Sequence, residues 1–235
     1  MIFDAGGIEV SPEDALFATD VVTLGIAHGK HNTINLCKRA IAEGIPGDFV
    51  EAGVNAGGHP ALMAYTIRQY NGNGRRVHLY DSFMGVPMSG PEDPKDWQDI
   101  TGVNPDASKG IFVNRLVSTI EQVMENMRLW KADLVPLVYH PGWLQEVLPA
   151  ERNTPEQIAV LRIDVDMHDS TVPVFEYLYP KVVSGGYVIS DDWGETDGIV
   201  PCRKATYAYF DKMGLSRPKP IRLPGTPGTA WWRKP

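Results

Sequence analysis

Short apolar runs alternate with amphipathic stretches along most of this chain. Asp48–Val54, Arg76–Tyr80, Val135–Tyr139, Ile158–Ile163 and Gly186–Asp192 are nearly continuous apolar runs, as expected of parallel strands covered on both faces. Between them Asn32–Glu43, Pro60–Tyr70, Ile111–Leu129 and Ser170–Lys181 carry apolar residues at helical spacing. Past this core, Cys202–Lys212 reads as a helix. Pro218–Leu223 and Thr229–Lys234 read as two final strands joined by the turn Gly225-Thr226-Pro227-Gly228. The pattern predicts an α/β fold: a mostly parallel sheet, helices on both faces, and a closing antiparallel hairpin. Residues 1–22 stand apart as an N-terminal appendage, with Ser11 capping a short helix opened by Pro12. The remaining 23–235 form one domain.

Two of the strands end in carboxylates, Asp164 after Leu161-Arg162-Ile163 and Asp191-Asp192 after Val188-Ile189-Ser190. A helix between parallel strands makes a βαβ unit, so these ends share one rim, where open α/β sheets bind their ligands. Three oxygen donors there suggest a hard divalent cation. Adjacent acids also occur on ordinary surfaces, and each of these could instead cap a helix.

The first strand leads into Gly53, Asn55, Gly57 and Gly58, with Pro60 opening the next helix. Strand, glycine-rich turn and helix N-terminus make a cradle for a nucleotide-like cofactor, because glycine lets the backbone approach and the helix end adds partial positive charge. The spacing is not the GxGxxG of dinucleotide folds. Asp81, followed by Ser82, ends the second strand and suits bidentate bonding to ribose hydroxyls; the bland alternative is a turn aspartate. Gly142-Trp143 follows the third strand and offers backbone or an aromatic ring to an adenine, or a ring to the core. Residues 85–109, rich in Pro, Gly and acids with Trp97 among them, form a loop long enough to be a lid over that rim.

Length and composition then narrow the classes. The 235 residues are 43% hydrophobic and 22% charged, which suits one large domain with a sizeable core. A net charge of −7, with no Lys/Arg cluster longer than a pair, argues against nucleic acid as a partner. No apolar stretch approaches the roughly 18–20 residues that span a bilayer, and the first residues lack the pattern of a signal peptide. A cytoplasmic protein without a membrane partner is expected. Cys37 and Cys202 stand alone and read as small buried side chains.

In four ordered stretches the sequence resembles the macrocin O-methyltransferase (TylF-like) family of class I S-adenosylmethionine-dependent methyltransferases. They are Ile45–Val54, Asp81-Ser82-Phe83-Met84-Gly85-Val86-Pro87, Leu161–Thr171 and Gly185–Trp193. The resemblance implies a Rossmann-like, seven-stranded sheet and the methylation of hydroxyls on sugars of natural products. It implies S-adenosylmethionine and magnesium as cofactors, the metal on Asp164, Asp191 and Asp192. It also implies homo-oligomers, for which the N-terminal segment and the Trp97 loop offer an interface. The chain departs from the family at His168, where tyrosine is usual, and at Gly29-Lys30-His31. It departs again at His59-Pro60, where the family has serines.

On this resemblance Glu51 hydrogen-bonds the methionine amine, and Asp81 takes the ribose. Asp164 or His168 accepts the proton of a small-molecule hydroxyl, expected to be a sugar's, that a cation orients and acidifies. Asp166 and Asp169 read as structural support. The competing functions are a magnesium-dependent methyltransferase of catechol-like phenols, a Rossmann oxidoreductase, and a silent cofactor-binding module.

Overall fold

The computed structural model describes residues 2–3, 9–23, 27–87, 90–93, 117–194, 200–226 and 228–235. A small antiparallel pair, β1 (Ile2–Phe3) and β2 (Glu9–Val10), precedes α1 (Pro12–Asp20) and α2 (Ala27–Ala42). The main elements follow as β3 (Asp48–Ala52), α3 (Gly58–Gln69), β4 (Val77–Asp81), α4 (Ile120–Leu129), β5 (Leu137–Pro141) and α5 (Leu144–Ala150). The chain continues through β6 (Ile158–Ile163), α6 (His168–Pro173), β7 (Val182–Ser190), α7 (Val200–Lys212), β8 (Ile221–Arg222) and β9 (Ala230–Arg233).

Seven strands form the main sheet in the order β5-β4-β3-β6-β7-β9-β8. The first five are mutually parallel, and β9 runs antiparallel to both β7 and β8. The order reverses between β3 and β6, so the carboxyl ends of these two central strands flank a switch point, where such sheets open a crevice. The closing hairpin expected from Gly225–Gly228 is present. Most of the expected lid, 85–109 with Trp97, lies outside the described residues.

Alternation along each strand feeds two cores. Phe49, Val160, Tyr187 and Ile189 point to the face covered by α2, α3 and α4, while Val50, Leu161 and Val188 point to the face covered by α5, α6 and α7. Glu51 shares the parity of Phe49, Arg162 that of Val160, and Asp191 that of Ile189, so all three side chains lie on the α2–α3 face. Cys37 and Cys202 are both buried.

Several boundaries differ from the pattern. β7 begins at Val182, four residues before the apolar run that starts at Gly186, so Gly185 and Gly186 both lie within the strand. The helix expected over Ser170–Lys181 begins at His168 and passes at Pro173 into a π-helical turn, Val174–Leu178, and then a 3-10 turn. Proline has no N–H to donate and crowds the preceding turn, which is where the regular helix stops. Its first N–H, from His168, donates to Asp93 Oδ1 at 2.8 Å. α5 was hidden by its brevity and by Pro149.

Candidate active site

β3 ends at Ala52, and the chain must leave it against the carboxyl end of β6. Gly53 makes that possible: at φ +80, a Cβ there would sit 1.7 Å from the carbonyl oxygen of Asp164. Gly58 allows a second close approach, since a Cβ would meet the Val22 carbonyl at 2.6 Å. The turn between them is held by Asp81. Its Oδ2 accepts the N–H groups of Val54 at 2.7 Å and Asn55 at 3.2 Å, and its Oδ1 accepts that of Phe83 at 2.7 Å. Burial raises the pKa of Asp81, and these three amides oppose the rise.

A cavity of about 410 Å³ opens at this rim. The ends of β3, β4 and β5 bring Glu51, Gly53, Asn55, Asp81, Ser82 and Trp143 to its lining, and the ends of β6 and β7 bring Asp164, Asp166, Asp191 and Asp192. Gly57, Gly58, Gly142 and His168 lie outside its lining. Gly57 instead faces Val123 and Met127, and the Gly142 N–H donates to the Asp81 carbonyl at 2.9 Å, tying the ends of β5 and β4 together. His168 Nδ1 pairs with Asp169 Oδ1 at 2.9 Å.

Arg162 organises the acidic side. It pairs in register with Glu51 on β3, and its Nη1 donates to Glu51 Oε1 at 2.5 Å and to Asp164 Oδ2 at 2.7 Å. Its Nη2 donates to Asp191 Oδ1 at 2.7 Å. Only 1% of the guanidinium side chain is exposed. Burial alone would lower its pKa, but the surrounding carboxylates of Asp191, Asp164 and Glu51 raise it well above the usual value. A charged residue near the end of the apolar run Ile158–Ile163 is the sequence signal for this role.

Asp192 is fixed differently, its Oδ2 accepting the N–H groups of Val165 at 3.0 Å and Asp166 at 2.8 Å. Thr229, from the closing hairpin, donates to Asp191 Oδ1 at 3.0 Å. Asp164, Asp191 and Asp192 are therefore each anchored through one carboxylate oxygen in the described hydrogen bonds. Among the described residues, the group whose potential ligand atoms lie closest together is Asp164, Asp166 and Asp192, with one oxygen of each within 4.8 Å of the others. Asp191 lines the same cavity but is not in that group; Asp166, read from sequence as support, is in it.

This side carries more negative charge than Arg162 can balance. Burial and the Arg162, Asp191 and Asp81 charges leave Asp164 raised to about 6, and burial with Asp164 and Asp191 raises Asp166 to about 7. Burial and the neighbouring acids Asp166, Asp164 and Asp191 raise Asp192 well above its usual value. Glu51 is raised to about 8, mainly by burial, and its Oε2 has no hydrogen-bond partner among the described residues. Crowded, buried hard oxygens fit a divalent cation, which would relieve their mutual repulsion.

Comparison with known proteins follows the same lines. A sequence profile of the macrocin-O-methyltransferase (TylF) family matches residues 26–234. The 8-demethyl-8-(2,3-dimethoxy-alpha-L-rhamnosyl)-tetracenomycin-C 4'-O-methyltransferase of Streptomyces olivaceus is 33% identical over 178 residues, covering 76% of this chain. That match spans only 63% of the relative's own length. The mycinamicin III 3''-O-methyltransferase of Micromonospora griseorubida is 28% identical over 219 residues, covering 92% of this chain and 81% of the relative. Among solved structures, the O-methyltransferase NovP superposes with a TM-score of 0.73 at 29% identity, over 88% of this chain and 80% of that one. With the strand order, these likenesses establish the Rossmann-like class I methyltransferase fold. The chain belongs to the macrocin O-methyltransferase (TylF) family.

Proposed function

We propose that this protein transfers the methyl group of S-adenosylmethionine to a hydroxyl of a sugar on a glycosylated natural product, assisted by a magnesium ion. The observation that carries this reading is that one cavity is lined both by glycine-turn residues from the end of β3 and by the acidic cluster from the ends of β6 and β7. Methyl donor and hydroxyl acceptor must meet in one enclosure, and these halves suit the two in turn. The names of the relatives support the acceptor class. Two of them are methyltransferases named for a rhamnosyl-tetracenomycin and for mycinamicin III.

S-adenosylmethionine supplies an electrophilic sulfonium methyl. Glu51 has a buried, unpartnered Oε2 to receive its ammonium, and the Gly53 turn lets backbone lie against it. Asp81 spends one lone pair of Oδ1 on Phe83 and keeps capacity for a ribose hydroxyl, with Ser82 beside it. Trp143 offers its ring to the adenine.

A bound magnesium ion supplies Lewis acidity that lowers the pKa of a coordinated hydroxyl. Asp164, Asp191 and Asp192 would hold it, through the oxygens that Arg162, Thr229 and the backbone amides leave over. Ligating carboxylates are themselves usually hydrogen-bonded, which fixes their direction; Asp166 has no such anchor for its side chain in the described bonds. Asp164 takes the acceptor's proton in this reading. His168 is turned toward Asp169 and would have to leave it first.

The test is incubation with methyl-labelled S-adenosylmethionine, magnesium and a panel of glycosides, nucleotide-sugars and vicinal phenols. Label on a sugar oxygen, lost on chelation, is the expected result. Label on phenols alone would overturn the acceptor class, and failure to bind the cofactor would overturn the reaction.

A further inference from the structure

His59, the second residue of α3, is 3% exposed and lines the cavity. Its Nδ1 lies 2.9 Å from Thr33 Oγ1. That hydroxyl also donates to the Gly29 carbonyl at 3.2 Å. With its one proton on the Gly29 carbonyl, Oγ1 meets the imidazole as an acceptor and Nδ1 carries the hydrogen. The neutral ring then presents Nε2 as a bare lone pair. Burial holds the pKa of His59 well below the usual value, with Arg162 and Lys30 acting in the same direction.

Nothing among the described residues donates to Nε2. Glu51 Oε2, on the same cavity, is equally without a partner among the described residues. Buried polar atoms left unpaired are uncommon and costly, so two from residues lining one cavity point to a ligand that partners them. Both belong to the glycine-turn half, Glu51 on β3 and His59 on the helix that the turn opens. The Lys30 ammonium is spent elsewhere, on the carbonyls of Ala18 at 2.8 Å and Val21 at 2.6 Å.

We propose that His59 is the Nδ1–H tautomer and that its Nε2 accepts a hydrogen bond from the α-ammonium of the methyl donor, so that His59 and Glu51 together select a cofactor with a free amine. This rests on the S-adenosylmethionine reading above, and on that reading the α-ammonium is the cationic N–H donor available to this half of the cavity. His59 acts as a positioning and specificity residue and takes no proton.

Calorimetric titration of S-adenosylhomocysteine and of 5'-methylthioadenosine, which lacks the amino-acid end, tests it. The His59→Asn variant keeps an N–H for Thr33 but has no acceptor at the Nε2 position; His59→Gln can place an oxygen there. His59→Asn should bind S-adenosylhomocysteine about tenfold more weakly, with His59→Gln within about threefold of wild type and 5'-methylthioadenosine changed by less than about twofold throughout. Equal loss on both ligands, or no loss on S-adenosylhomocysteine, overturns the proposal. Wild-type protein that binds neither ligand overturns the cofactor reading as well, whereas binding of 5'-methylthioadenosine alone overturns only this one. Nitrogen NMR of the wild type gives an independent readout. An unprotonated Nε2 that shifts with S-adenosylhomocysteine and not with 5'-methylthioadenosine is expected, and an Nε2–H tautomer overturns the proposal.

Discussion

Arg162 and Asp164 stand two residues apart at the end of β6, and Arg162 Nη1 donates to Asp164 Oδ2 at 2.7 Å. Side chains two apart on a strand share a face, so the guanidinium lies under the carboxylate it steadies and also reaches Glu51 and Asp191. Removing it would leave three acids without their shared counter-charge. Arg162→Met should lower stability by about 3 kcal/mol or more, read from urea unfolding, because breaking a buried ion pair strands its partners. Arg162→Lys should recover little of this, since an ammonium cannot reproduce the planar fork. A lysine variant as stable as wild type would mean that charge alone, without geometry, suffices.

Anchored carboxylates separate the two sets of candidate metal ligands. Asp191→Asn should weaken magnesium binding at least about tenfold in a calorimetric titration, and Asp166→Asn by much less, because orientation of the ligand is what the anchors provide. The reverse order would make Asp166 the third ligand, in keeping with its place in the tight group around Asp164 and Asp192.

For the proton acceptor, the positions of Asp164 and His168 differ in kind. Asp164 lines the cavity and His168 does not. In single-turnover methyl transfer, His168→Ala should fall less than about tenfold, whereas loss of a general base costs about a hundredfold or more. A hundredfold loss for His168→Ala, with cofactor affinity unchanged, would give the role to the imidazole.

Gly53→Ala should be the most damaging small substitution in the turn. The added Cβ meets backbone, not a flexible side chain, at 1.7 Å, and φ is +80. Overpacking and left-handed strain combine, so a loss of about 3 kcal/mol or more is expected in denaturant unfolding. Near-neutral stability would mean that β3 and β6 can separate here.

Far from the cavity, Asp14 on α1 is fully buried and accepts hydrogen bonds from Lys38 at 3.0 Å, Tyr65 at 3.0 Å and Tyr70 at 2.8 Å. Burial raises its pKa, but the bonds from Lys38 and Tyr70 and the Lys38 charge outweigh it, and the result is below the ordinary value of 3.8. A depressed folded pKa means stability that is fully present above 3.8 and is lost as pH falls through the lower folded value. Asp14→Asn should therefore lower stability at pH 7 and flatten the acid limb of a stability-against-pH series. An acid limb unchanged in the variant would remove Asp14 from that linkage.

Periodicity and motif spacing determined most of the architecture. Parallel strands buried on both faces read as unbroken apolar runs, and the turn Gly225–Gly228 between two short runs marked the closing hairpin, because hydrophobic burial and turn chemistry are local in sequence. The acids at the strand ends and the glycines after β3 were legible for the same reason. Tertiary structure decided what those residues touch. Glu51 and Arg162 are 111 positions apart and adjacent only through strand register. Thr229 reaches Asp191 because the hairpin folds back along β7, and Asp93 caps α6 from 75 positions upstream. His59 was visible only as a departure from a resembled motif. Its Nδ1 meets Thr33 only because α2 packs against α3. Period and composition carry the sign and the face of a side chain; its partners across the sheet are set by long-range register and packing, which no local pattern encodes.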